Sequence, residues 1–82
     1  MKLSEKYFYH GIDITMDVYE KIRRVVETIS ENEAISFEKA YQKFVESTVY
    51  DNLQNSNTMM WSESSEYIVD EYYRRKEKAV AL

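Results

Sequence analysis

Few side chains in this sequence have the types and spacing that catalysis or metal binding requires. His10 is the only histidine and there is no cysteine, so a Ser-His-Asp triad and the usual zinc ligand sets lack members. His10 stands beside Gly11 with no fixed partner near it in the sequence, which favours an exposed or locally hydrogen-bonded side chain. One glycine is too few for a glycine-rich phosphate loop. The sequence therefore predicts no catalytic residue, no metal ligand and no cofactor.

Two pairs of carboxylates are the remaining candidates for acid–base work. They are Glu63 with Glu66, and Asp70 with Glu71. Such a pair does acid–base chemistry only in a cleft that separates the two pKa values. A small helical domain leaves little room for that cleft, so we interpret these groups as solvated charges and expect a protein that is not an enzyme.

Composition limits the other classes of function. The chain has 82 residues, 44% of them hydrophobic, which is typical of one folded domain. Its net charge of −4 argues against a nucleic-acid partner, because binding phosphates usually requires a basic surface. No apolar run reaches the ~20 residues of a membrane span, and the N-terminus lacks the apolar region of a secretory signal. We expect a cytoplasmic protein.

The elements that position these side chains are predicted to be helices. Proline is absent and glycine occurs once, and these residues normally mark turns. We therefore predict an all-α fold, a small three- to four-helix bundle forming one domain over residues 1–82. The segment 1–12 is weakly specified.

The first helix is predicted to begin near Asp13 or Thr15 and to end near Ser30. Its apolar residues share one arc of about 120° at 100° per residue, namely Val18, Tyr19, Ile22, Val25, Val26 and Ile29. Ser36 is a predicted N-cap for the second helix.

A break is expected near Ser47, with a bend or a separate short helix over 49–53. A helix, a break and a second helix also suggest a helix-turn-helix DNA reader, although residues 49–54 offer Asn52 and Gln54 but no basic side chain. Residues 54–58 are predicted to be a loop. We expect Met59, Met60 and Trp61 to be extended or to enter the last helix.

The last helix is predicted to be capped by Ser62 or Ser64. Its acidic residues come early and its basic residues late, which complements the helix dipole. The predicted core combines the centres of these apolar stripes: Ile22, Val26, Ile29, Phe37, Tyr41, Phe44, Leu53, Trp61 and Ile68. One of Met59 and Met60 is expected to pack inward and the other to be more exposed.

A second apolar stripe on the last helix is the predicted partner surface. Val69, Tyr73 and Val80 lie ~100–140° from Ile68 at 100° per residue. Unless this stripe is left in water, either the aromatic N-terminal segment, residues 3–9, or a second protein is expected to cover it. We favour a second protein because an aromatic beside Arg74 is typical of an interface. The predicted partner-binding residues are Val69, Tyr73, Val80, Tyr7, Phe8 and Tyr9.

Residues 35–75 resemble a group of small uncharacterised bacterial proteins. The pattern is Phe-x-x-Ser-x-x-Tyr-x-x-Leu followed by Thr-x-x-Trp-x-Glu-Ser-x-x-Tyr-Ile, carried here by Phe44, Ser47, Tyr50, Leu53, Thr58, Trp61, Glu63, Ser64, Tyr67 and Ile68. Some members resemble the non-enzymatic half of toxin–antitoxin-like gene pairs. The resemblance implies a partner protein and supplies no catalytic residue.

The predicted function is a non-enzymatic protein–protein interaction module that regulates or neutralises a partner. The partner is a second protein or a second copy of the chain, as in a homodimer. Two alternatives stay open: a small DNA-associated transcriptional regulator, and a domain with only a structural role.

Overall fold

The computed structural model describes residues 6–80 and the side chains of residues 6–77. It confirms the all-α class. The four helices are α1 (Thr15–Glu33), α2 (Phe37–Val45), α3 (Thr48–Gln54) and α4 (Ser65–Val80). A hairpin of two short antiparallel strands precedes them, β1 (Phe8–Tyr9) and β2 (Ile12–Asp13), and two single 3₁₀ turns, Ser56–Thr58 and Met60–Ser62, connect α3 to α4.

Serine side chains begin three of the helices. The Ser36 hydroxyl accepts from the backbone N–H of Lys39 at 3.1 Å, as predicted. Ser47 caps α3 in the same way, so the expected break is a new helix that starts one residue earlier than predicted. Ser64 accepts from the N–H of Tyr67 at 3.1 Å and caps α4.

Helix α1 continues three residues beyond its predicted end at Ser30. It ends where Ala34 adopts a left-handed conformation, with φ 54°. The N–H of Ile35 then donates to the Ser30 carbonyl at 3.1 Å, which is the closing bond of a Schellman motif. Glycine usually occupies this position, so the pattern of residues did not mark the turn.

The core lies between the four helices. Six of the nine predicted core residues are buried: Ile22, Val26, Ile29, Phe44, Leu53 and Ile68. The prediction was wrong for Phe37, which is 39% exposed, because it is the first residue of α2 and lies about 10 Å along the helix axis from Phe44. Tyr41 and Trp61 are half-buried at the edge of the core.

Further buried side chains complete the core. They are Ile14, Val18, Val25, Ala40, Val49, Met60, Val69 and Tyr72. The methionine prediction is confirmed, because Met60 is 7% exposed while Met59 is 44% exposed. Both belong to the 3₁₀ region rather than to α4 or to an extended segment.

The segment predicted as weakly specified contains the hairpin. Tyr9 pairs with Ile12 across a two-residue turn, in which His10 has φ 50° and Gly11 has φ 79°. A two-residue type I′ turn needs positive φ at both positions, and histidine is among the residues that tolerate it better than most. The hairpin therefore places Phe8 and Ile12 beside the start of α1. Among the described residues, no helix is long and apolar enough to cross a membrane.

Candidate interaction surface

The predicted partner residues of α4 lie against the protein's own helices. Val69 is 8% exposed and belongs to the core, so it is not available to a partner in this structure. Tyr73 is half-buried, and its hydroxyl donates to Glu33 Oε2 at 2.9 Å. The side chain of Val80 lies outside the described residues. The expected second stripe is therefore covered, at Val69 and Tyr73, by the fold itself.

The described residues of the predicted N-terminal cover, 6–9, do not provide this burial, and Leu3 lies outside the described residues. Tyr73 bonds to Glu33, the last residue of α1, whereas Tyr7 bonds to Thr15, the first residue of α1. Thr15 and Glu33 are separated by about 27 Å along the axis of α1, at 1.5 Å per residue. Tyr7 and Tyr73 thus lie at opposite ends of α1 and do not belong to one surface.

Tyr7 fixes the hairpin to the start of α1. Its backbone N–H donates to Thr15 Oγ1 at 2.9 Å, and its carbonyl accepts from the N–H of Ile14 at 2.9 Å. Its ring meets the ring of Tyr19 edge-on, with centroids 6.1 Å apart, and its hydroxyl accepts from Gln54 Nε2 at 2.9 Å. Tyr7 is therefore a structural anchor, and it is half-buried.

Tyr9 anchors the hairpin to the 3₁₀ turns. Its ring lies 5.5 Å from that of Trp61, and its hydroxyl donates to Met59 Sδ at 3.4 Å. Trp61 is itself held by a bond from Nε1 to the Ser56 carbonyl, 2.9 Å long. Like Tyr7, Tyr9 is half-buried by contacts within the protein.

Phe8 is the one predicted partner residue with a described, largely exposed side chain, at 53%. The structure adds Ile12, 64% exposed, and Met16, 74% exposed, which the sequence reasoning missed. The signal available for them was the His10–Gly11 turn, since glycine in a tight two-residue loop marks a hairpin. Ile12 shares one face of the hairpin with Tyr9, whereas Phe8 shares the opposite face with Asp13. We name Phe8, Ile12, Met16 and Met59, which lie on the hairpin, at the start of α1 and beside the Tyr9 hydroxyl, the hairpin patch.

Carboxylates surround the hairpin patch. Asp13 pairs with Phe8 across the two strands, and Asp17 follows Met16; both are exposed. Hydrogen bonds from Thr15 lower the pKa of Asp13, and the ammonium of Lys6 lowers it further. The patch is therefore flanked by two carboxylates, Asp13 and Asp17, and by one ammonium group, Lys6.

The opposite end of α1 has a different chemistry. The Glu33 carboxylate accepts from Lys43 and from the Tyr73 hydroxyl. The Lys43 bond lowers the pKa of Glu33, and Lys43 has its own pKa raised mainly by the same bond. Burial, with Glu33 beside it, raises the pKa of Tyr73. This cluster joins α1, α2 and α4 and explains why Tyr73 faces inward.

The polar residues of α3 are used within the protein. Gln54 Nε2 donates to the hydroxyls of Tyr7 and Tyr50. The Asn52 oxygen accepts from Arg75 at 3.0–3.1 Å in the amide orientation that satisfies both groups. In a helix-turn-helix reader, these two side chains would instead point to base edges.

His10 is exposed and its ring lies against Tyr9, with centroids 4.3 Å apart. Within residues 6–80, no three His, Cys, Asp or Glu side chains gather in a metal-binding group. The arrangement near His10 thus consists of ring packing on the hairpin.

The chain matches no protein-family model, no curated protein and no solved structure.

Proposed function

We propose that this protein is a non-enzymatic protein–protein interaction module. It uses the hairpin patch to bind an apolar surface rimmed by Lys and Arg on a different protein. One observation carries the proposal. Of the six exposed large hydrophobic side chains among the described residues, four lie on the hairpin, at the start of α1 or beside the Tyr9 hydroxyl, and the other two are Phe37 and Tyr67.

Such clustering differs from ordinary surface hydrophobicity. Single exposed apolar residues are common on folded proteins, whereas grouped ones mark interaction sites. The hairpin is also held firmly, because Tyr7 and Tyr9 bind it to α1 and to Trp61. A partner would thus meet a preorganised surface, which lowers the entropy lost on binding.

Charge favours a different protein over a second copy. In a two-fold dimer the same patch meets itself, so the Asp13 and Asp17 carboxylates of both copies would come together. Like charges at an interface cost several kcal/mol, and the chain as a whole has a net charge of −4. A partner with Lys and Arg around an apolar centre would instead be complementary.

The other predicted classes have less support. A DNA reader needs polar side chains directed outward, and Gln54 and Asn52 bond internally. The resemblance to the non-enzymatic half of toxin–antitoxin-like pairs is consistent with a protein partner, and we keep it as part of the proposal. A cytoplasmic, bacterial setting belongs to the same proposal.

Photo-crosslinking identifies the partner, and binding to the purified partner then tests the surface. A photoreactive residue is placed at Ile12 and, as the matched control, at Tyr67, which is exposed at 43% on α4. We expect one partner to crosslink from position 12 and not from position 67. With that partner purified, Ile12→Asp should weaken binding at least about thirtyfold, the effect of a hot-spot residue of about 2 kcal/mol. Tyr67→Asp should leave the affinity unchanged.

Salt and self-association complete the test. Because opposite charges steer association, Asp17→Asn should slow the association rate and reduce its salt dependence. Equal loss of affinity in Ile12→Asp and Tyr67→Asp would refute the proposed surface. A wild-type dimer in sedimentation that dissociates on Ile12→Asp would show that the patch binds a second copy instead.

A further inference from the structure

An open cleft of about 370 Å³ lies between α2, α3 and α4, outside the hairpin patch. A volume in this range is typical of small-molecule sites. The residues that matter for its chemistry are the three cations, one carboxylate, one hydroxyl and one aromatic ring: Lys43, Arg75, Lys76, Glu46, Thr48 and Tyr72. Two of these cations are paired with carboxylates beside the cleft, Lys43 with Glu33 and Arg75 with Glu71, so Lys76 is the lining cation without an ion pair among the described residues.

Arg75 is held in place by its neighbours. Its Nε donates to Glu71 at 3.0 Å, and its Nη1 donates to Thr48 Oγ1 at 3.1 Å. Because the Thr48 oxygen accepts this bond, its own hydrogen can be donated to another acceptor. Both terminal nitrogens of Arg75 also donate to the Asn52 oxygen, so the cleft has a guanidinium fixed by three neighbours next to a hydroxyl donor.

Lys43 and Lys76 face the same carboxylate. Lys43 is paired with Glu33, while Lys76 has no ion pair among the described residues. The ammonium of Lys76 lies 5.8 Å from the centre of the Tyr72 ring. The nearby Lys43 lowers the pKa of Lys76, as expected when two ammonium groups are close and one carboxylate serves both.

We propose that this cleft binds a phosphate group, as inorganic phosphate or as the monoester of a small molecule. A phosphate monoester carries about −1.5 to −2 charges at pH 7 and three acceptor oxygens. Such a ligand matches two ammonium groups and a guanidinium better than a ligand with a single carboxylate group does. Ammonium and guanidinium groups form the stronger, charge-assisted bonds to such an anion. The Tyr72 ring supplies an apolar wall for an attached organic group. The site is independent of the hairpin patch.

The test uses the whole protein labelled with ¹⁵N and titrated with sodium phosphate. Sodium acetate and sodium chloride at the same ionic strength are the comparison anions. We expect saturable shifts of the backbone amides of residues 46–49 and 75–77 with phosphate, and a weaker response to acetate. Shifts that grow linearly without saturation, or an equal response to acetate, would overturn the phosphate assignment.

Substitutions separate the site from general charge effects. Lys76→Gln should weaken phosphate binding about fivefold or more, since it removes one charge-assisted bond at an exposed position. Glu46→Gln should strengthen it by removing the one carboxylate of the lining. Lys6→Gln, which removes the same charge near the hairpin, should have no effect. Equal weakening by Lys6→Gln and Lys76→Gln would show only unspecific attraction, and no strengthening in Glu46→Gln would contradict the assigned lining.

Discussion

Tyrosine side chains pack differently at the two ends of α1. At the first end, Tyr7 and Tyr9 hold a hairpin whose other side chains, Phe8 and Ile12, are left in solvent. At the second end, the Tyr73 ring is half-buried and its hydroxyl bonds to Glu33. At the first end, apolar side chains are exposed beside the uncharged Tyr7 and Tyr9. At the second end, charged side chains surround a cleft.

The difference shows why aromatic content alone does not locate an interface. The sequence has eight tyrosines, and tyrosine serves equally as a rim residue of a small core or as a contact residue. The two ends differ in whether the side chains next to the tyrosines find partners within the protein. At the second end, Glu33 accepts hydrogen bonds from Tyr73 and Lys43. At the first end, no described residue covers the exposed Phe8 and Ile12 side chains.

Removal of Phe44 should have the largest effect, because its ring is fully buried and contacts both α3 and α4. It packs edge-on against Tyr50, 5.6 Å away, and against Tyr72, 5.9 Å away. Phe44→Ala should lower the free energy of unfolding by about 3–5 kcal/mol, measured by urea denaturation. Phe37→Ala, on the same helix but 39% exposed, is the control and should cost much less. A loss below about 1 kcal/mol for Phe44→Ala would contradict its place at the centre of the core.

Substitution of Gly11 should act on the hairpin end alone. Gly11 has φ +79° and nothing lies within 4 Å of the place of a β carbon, so backbone strain and not a clash sets the cost. Gly11→Val should destabilise by about 1–2 kcal/mol and speed hydrogen exchange in residues 7–14. Residues 72–76 should exchange as in the wild type. Uniform acceleration across the chain would show that the two ends unfold together.

Ala34→Gly is the corresponding change at the other end of α1. Ala34 holds φ 54° in the left-handed region, where a β carbon is unfavourable. Glycine relieves this strain but has more freedom to lose on folding, so we expect a gain of about 0.5–1 kcal/mol. Thermal denaturation measures it. A loss of stability would mean that the turn after α1 depends on the alanine side chain.

Acid should weaken the ion pair at the second end, with the smallest of these effects. The bond from Lys43 lowers the pKa of Glu33 below its ordinary value of 4.5. The folded pKa is thus below the unfolded one, so the contribution is present above about pH 4.5 and is lost as the pH falls through the folded pKa. Glu33→Gln should therefore flatten the fall of stability below pH 4.5, followed by urea denaturation at each pH. Glu31→Gln, two residues away and exposed, should retain the wild-type slope.

The helices were predictable because their signals are local. Serine caps at Ser36 and Ser64 and the apolar period of α1 depend on neighbours within a few residues, and the structure has them. The hairpin and the end of α1 were missed because His10 and Ala34 hold positive φ without being glycine. For the predicted partner residues of α4, the sequence lacked a different kind of information. Helical angles show that Val69 and Tyr73 share a side, but only the packing of α1 shows that this side is covered.

Hydrogen exchange in the purified complex tests most directly whether the hairpin end is where this protein acts. The partner is the protein captured by crosslinking at position 12, and exchange is compared with and without it. We expect slower exchange of the amides in residues 8–16, with residues 71–77 unchanged. Protection confined to residues 71–77, with the hairpin exchanging as in the free protein, would contradict the account and return the interface to α4.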